Sequence, residues 1–162
     1  MRSGMHTANS QHGFTLVELL TVITLMAIVL GIGIPSFRSF ILGQRVKTAA
    51  FAFVSSATEA RSEAIKRNAD VSLLAASGGW SKGWTIVSGS TVLSHQDAYD
   101  GVVFTPSASM TTQLVYQSSG RLPSGLTPPI QVQIGDENSS NHTRCISFDL
   151  SGLPSSHMGT CP

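Results

Sequence analysis

From Leu19 to Phe37 nineteen consecutive residues carry no formal charge, and a single carboxylate, Glu18, stands directly before them. As a helix rising about 1.5 Å per residue, such a run spans roughly 28 Å, close to the hydrocarbon thickness of a bilayer. A helix that is apolar on every face must be covered by something other than water. A chain of 162 residues has room for one modest core and not for two, so a buried core helix would leave little else to fold around it. A discarded secretory signal would need a shorter apolar region ending in a small-x-small cleavage site. No A-x-A pattern follows the run, although Gly31-Ile32-Gly33 supplies small residues. A third arrangement places the processing site before the run. The polar segment MRSGMHTANSQHG ends in Gly13, and a cut there would free a charged α-amine on Phe14 and keep the whole stem. Glu18 would then have a partner. A carboxylate in hydrocarbon costs several kcal/mol unless it is paired, and the ammonium of a neighbouring subunit would neutralise it as stems pack side by side.

The stretch GFTLVELL, Gly13 to Leu20, with the apolar run behind it, resembles the class III signal of type IV pilins and type II secretion pseudopilins. The resemblance implies that a prepilin peptidase cuts after Gly13 and methylates Phe14, that Glu18 assists assembly, and that Pro35 kinks the stem. Proline also has a local reason to act there, because it deletes one backbone hydrogen bond and clashes with the preceding turn. Gly31 and Gly33 weaken the same turn, so a bend or a melted turn is expected near Gly31 to Pro35.

After Pro35 the pattern becomes amphipathic. Val46, Ala50, Phe53, Ala57, Ala60 and Ala64 recur at spacings of three and four, with Arg45, Lys47, Ser55, Glu59, Arg61, Glu63, Lys66 and Arg67 between them. Small residues on that stripe let something pack closely, Glu63 stands i,i+4 from Arg67 for a weak ion pair, and Asn68-Ala69-Asp70 reads as the stop. Beyond it come short β-type runs separated by Gly, Ser and Pro: 71–74, 84–87, 91–94, 102–104, 114–117, 130–134 and 145–150. The runs QVQI and CISFDL alternate as half-buried strands do. The expected fold class is α+β, a long N-terminal helix laid on an antiparallel β head. The expected organisation is a leader at 1–13, a membrane or filament-core helix at 14–36, an amphipathic half at 37–67 and the head at 68–162.

The second half narrows the resemblance. RSEAIKRNADVSL (61–73), WSKGWTIV (80–87) and YQSSGRL (116–122) together are similar to the GspH/FimT group of minor pilins and pseudopilins. That resemblance implies a low-abundance structural subunit, not an enzyme, which helps initiate or cap a type IV pilus. It would be held in the bacterial inner membrane with a periplasmic head before it assembles. Its partners would be the prepilin peptidase and other minor and major pilins. A type II secretion pseudopilin is the alternative within the same group, and a DNA-binding minor pilin acting in natural transformation is a further one.

Cys145 and Cys161 enclose fifteen residues near the end of the chain. Two cysteines suit one disulfide in an oxidising compartment better than a metal cluster, and closing that loop is worth about 3 kcal/mol in the chain-entropy model. His142 stands three residues before Cys145, but two cysteines and a histidine fall short of a closed tetrahedral set, so no metal or other cofactor is expected. Ser, His and Asp occur without a nucleophile elbow or other catalytic spacing, which leaves no catalytic candidate, and His95 and His157 read as surface loop residues. Asn138 and Asn141 match the glycosylation acceptor pattern, a frequent chance match. DNA-binding members of the group resemble one another in a basic G-R-x-R loop, and the corresponding place here reads Gly152-Leu153-Pro154-Ser155, with no arginine. Residues 68–162 hold Lys82, Arg121 and Arg144 against six carboxylates, a net of −3. Non-specific DNA affinity rests on phosphate neutralisation, to which an acidic head is poorly suited; Arg121 and Arg144, if adjacent, are the candidate DNA contacts.

Overall fold

The computed structural model describes residues 14–137 and 142–162. The leader 1–13 with Gly13, and the acceptor-pattern residues Asn138 and Asn141, lie outside the described residues. The first helix begins where the side chain of Thr15 accepts a hydrogen bond from the Glu18 backbone N–H at 3.2 Å, satisfying one of the donors that a helix start leaves unpaired. This helix, α1, spans Leu16–Arg67, 52 residues. It stops at Asn68, which takes a left-handed φ of 49°. The N–H of Asn68 bonds the carbonyl of Ile65 and that of Ala69 the carbonyl of Ala64, the paired closure that a left-handed residue makes at a helix C-terminus. Glu63 bonds Arg67 at 2.8 Å and Lys66 at 3.1 Å. Its carboxyl is held below the usual range, first by the bond from Arg67 and then by that from Lys66.

The chain divides into two units at Arg38/Ser39. In the first, α1 is helical through Gly31 to Pro35, so of the bend or melted turn expected there the melted turn is absent. One missing hydrogen bond costs less than ending a helix and nucleating a second one. None of the apolar window that is long enough to cross a membrane is buried within the chain.

In the second unit, Ser39–Pro162, the rest of α1 and the head share one core. The strands are β1 (Val71–Ala75), β2 (Gly83–Ser88), β3 (Thr91–Asp97), β4 (Val102–Pro106), β5 (Gln113–Tyr116), β6 (Ile130–Asp136), β7 (Arg144–Phe148) and β8 (Pro154–Met158). They form two antiparallel four-stranded sheets, in the orders β3-β2-β1-β5 and β4-β6-β7-β8. Seven strands were expected and eight are present. The extra one, β8, has the sequence PSSHM, with no β-branched residue and no apolar alternation. It forms as the partner of β7, pairing Cys145 with His157 and Phe148 with Pro154. Across the first sheet, Ile86, Leu73 and Leu114 stand opposite one another and are buried. Across the second, Val132 faces Ile146 and Ile130 faces Phe148.

Every residue of the expected stripe is buried, with Ala49 in addition. Phe53 is its centre. The ring lies 5.2 Å from Trp80 and 5.1 Å from Trp84, both edge-on, 5.7 Å from Phe104 and 6.4 Å from Phe148. It therefore touches a ring from each sheet, and edge-on pairs add to the area they bury. The indole N–H groups are satisfied as well. Trp80 donates to the Met110 carbonyl and Trp84 to the Ser56 hydroxyl, both at 2.9 Å.

The C-terminal tail returns over the second sheet. Cys161 is bonded to Cys145 with Cα atoms 5.0 Å apart, within the usual range for a bridge. Its N–H donates to the Gln133 side chain, and the Gln131 amide donates to the Pro162 carbonyl.

Two outcomes follow. Phe53→Ala should cost about 3–5 kcal/mol, the range for emptying a large aromatic site, read by urea unfolding with tryptophan fluorescence; a loss near zero would remove Phe53 from the centre of the core. Cys145→Ser paired with Cys161→Ser should cost about 3 kcal/mol by the same measurement, with the strand content in circular dichroism retained.

Candidate functional site

At the N-terminal end, Phe14 is exposed and precedes the helix, Thr15 caps it, and Glu18 occupies its third position. A carboxylate in the first turn faces the positive end of the helix dipole. Glu18 thus has one local role, at the cap, while among the described residues no cation pairs with its side chain. Two other polar side chains of the stem are satisfied from within. The Thr21 hydroxyl donates to the Val17 carbonyl at 2.7 Å and that of Thr24 to the Leu20 carbonyl at 2.8 Å. A hydroxyl bonded back to its own helix makes no demand on lipid or on a neighbour. Glu18 is the group in the stem that still seeks a counter-charge.

Arg121 and Arg144 do not meet. Arg144 opens β7. Arg121 precedes Leu122, whose N–H bonds the carbonyl of Leu150, two residues beyond the far end of that strand. The loop at Gly152 to Ser155 presents no cation. Its turn is built by Asp149, which accepts from the Ser151 hydroxyl and, at 3.2 Å, from the Leu153 N–H. Those bonds, the Ser151 one first, hold the Asp149 carboxyl below its usual range. Gly152, at φ +83°, is pressed against Gly120 and the Tyr116 ring, where a Cβ has no room. Tyr116 is buried, and that burial pushes its hydroxyl well above the usual phenol range.

The histidines also have definite places. His142 lies against α1, its Nε2 3.1 Å from the Ser39 hydroxyl, and Cys145 is tied to Cys161, so the two are not joint metal ligands. Among the described residues no cluster of His, Cys, Asp and Glu could hold a metal. His95 and His157 were expected in loops and instead lie in β3 and β8, at exposed positions. His95 stands between the Thr85 hydroxyl at 3.0 Å and the Asp97 carboxylate at 3.1 Å. These three follow the order of a hydroxyl, a base and an acid, but on an open sheet face where nothing excludes water.

Sequence reasoning passed over Phe51. It is half exposed on α1, off the buried stripe, with Lys47 and Arg144 over its ring. An aromatic residue on the polar side of an amphipathic helix was the available signal.

Comparison with known proteins agrees with this layout. The family model described as type II transport protein GspH matches residues 49–152, and the prokaryotic N-terminal methylation motif matches residues 8–34. No curated protein matches the chain. Two crystal structures of the Pseudomonas aeruginosa type IV minor pilin FimU share the fold. One, in space group P21, has a TM-score of 0.58 and 20% identity over 70% of this chain and 89% of that one. The other, in P65, has a TM-score of 0.57 and 21% identity over 68% and 91%. With its family model spanning more than half of the chain and the methylation motif spanning its stem, this protein belongs to the GspH family of type IV pilin-like minor pilins and pseudopilins.

Proposed function

We propose that the chain is a minor pilin of a type IV pilus, a structural subunit without chemistry of its own that helps initiate or cap the filament. The observation that carries this is the stem. It is an apolar helix whose one carboxylate, Glu18, sits four residues from Phe14, inside a methylation motif, on a chain whose head belongs to the GspH family. The precursor is held in the inner membrane by the 14–36 segment with its head in the periplasm. A prepilin peptidase cuts after Gly13 and methylates Phe14. On assembly with other minor and major pilins, the stem leaves lipid and packs against neighbouring stems. Packing of apolar surface then holds the filament core, and pairing of Glu18 with a neighbour's α-ammonium selects register, because an offset stem would leave two opposite charges unpaired in an apolar surround. Pro35 is the position at which the stem bends to fit its neighbours.

The type II secretion pseudopilus is the second reading, favoured by the description of the family model; the fold likeness to a pilus subunit supports the first. A DNA-binding role has less to support it, since Arg121 and Arg144 lie apart and the Gly152 loop offers a carboxylate where a phosphate would need a cation.

Glu18→Ala should be processed and held in the membrane like the parent while its amount in sheared filaments falls by an order of magnitude or more, the equivalent of about 1.4 kcal/mol of lost selection or greater. Immunoblots of membrane and filament fractions read this directly, and incorporation at the parent level would refute the pairing mechanism.

A further inference from the structure

On β7 the side chains of Ile146 and Phe148 enter the core beneath α1, and Arg144, two residues away, shares their face. Its partner on β8 is Met158, which stays 79% exposed. Between Met158 and α1 lies a groove of about 380 Å³, lined among others by Phe40, Lys47, His142 and Arg144 and by no carboxylate. Its wall is built, not incidental. Gly43 has no Cβ, and one added there would come within 2.9 Å of the His142 ring. That absence lets the ring lie against α1, where Ser39 bonds it.

Phe51 organises the charge. Lys47 Nζ lies 6.0 Å and Arg144 Cζ 5.6 Å from the centre of its ring. Two cations thus lie against one aromatic ring and line one groove, and among the described residues no carboxylate pairs with either. Like charges brought together without a counter-ion call for an anion. The exposed rings and thioether beside them, Phe40, Phe51 and Met158, call for an apolar body attached to it.

We propose that this groove binds an anionic phospholipid, with its phosphate between Lys47 and Arg144 and its acyl portion along Phe40 and Met158. The source is the bilayer that holds the stem, so the proposal rests on the membrane-held state described above. Phe40 follows Phe37, the last residue of the uncharged run, by less than one helical turn. Lys47 is ten residues further along the chain than Phe37. A lysine carries its charge on a long apolar stalk that can lie along apolar surface while the ammonium stays in a polar layer. The lipid contact would orient the waiting subunit on the membrane and be given up when the stem is extracted into a filament.

The test uses the full chain in uncharged detergent micelles, titrated with short-chain phosphatidylglycerol, phosphatidylcholine and inorganic phosphate and read by native mass spectrometry. At roughly fivefold per cation near an anionic surface, phosphatidylglycerol should bind on the order of twentyfold more tightly than phosphatidylcholine. The variant K47Q/R144Q should lose that preference with an unchanged circular dichroism melt. Equal retention of the two lipids, or an undiminished preference in the variant, would overturn the proposal. Displacement of the lipid by an equal concentration of inorganic phosphate would reduce the site to one for free anions and overturn it too. An acidic, leucine-containing peptide binding as tightly as the lipid would assign the groove to a neighbouring subunit instead. Release of the chain from vesicles by alkaline carbonate would overturn the membrane-held reading, and with it the bilayer as source, even where the micelle titration succeeds.

Discussion

The head closes on one ring. Phe53 projects from α1 between two sheets and meets Trp84 from the first and Phe104 and Phe148 from the second, with Trp80 from the short 3-10 turn at its side. The residues around it on the helix, Ala49, Ala50, Ala57 and Ala60, are small and buried. That combination decides the packing distance. Alanines bring sheet and helix close, and a single large ring fills the space that remains, which is how an interior reaches crystal-like density without cavities. Because the helix supplies the floor of the core, the second half of α1 cannot be removed from the head without opening it.

The first half of α1 obeys the opposite rule. Its apolar residues are exposed, and none of the described residues covers the membrane-length window. The Thr21 and Thr24 hydroxyls are already satisfied by the helix itself. One helix therefore carries two solvents' worth of surface, a stripe for the protein core and a full cylinder for lipid or other stems. Glu18 is the exception in the cylinder, and its isolation is what makes it informative. A charge in an apolar helix is tolerated where assembly supplies its partner.

Much of this was legible in the sequence because it is periodic. The stripe from Val46 to Ala64 follows the helical repeat, and seven strands announce themselves by alternation and by the glycine, serine and proline between them. β8 was not legible, since PSSHM has no apolar period of its own and is a strand through its pairing with β7. A bend or a melted turn was expected near Gly31 to Pro35, and the turn is helical for a related reason. Local propensity counted two glycines and a proline, while the long helices on either side outweigh them. At the stem, Gly13, Phe14 and Glu18 are proposed from a motif, which needs only neighbours in sequence. The groove was not found, because Phe51 and Arg144 are 93 residues apart and only folding places a cation over that ring.

The account depends most on where the mature chain begins. Intact mass and N-terminal sequencing of the protein recovered from cells that carry a prepilin peptidase test this directly. A chain starting at N-methylated Phe14 is the expected result, since that amine is the counter-charge assigned to Glu18. A chain starting at Met1, or cut beyond the apolar run, would contradict it and leave the stem as a plain anchor or a discarded signal.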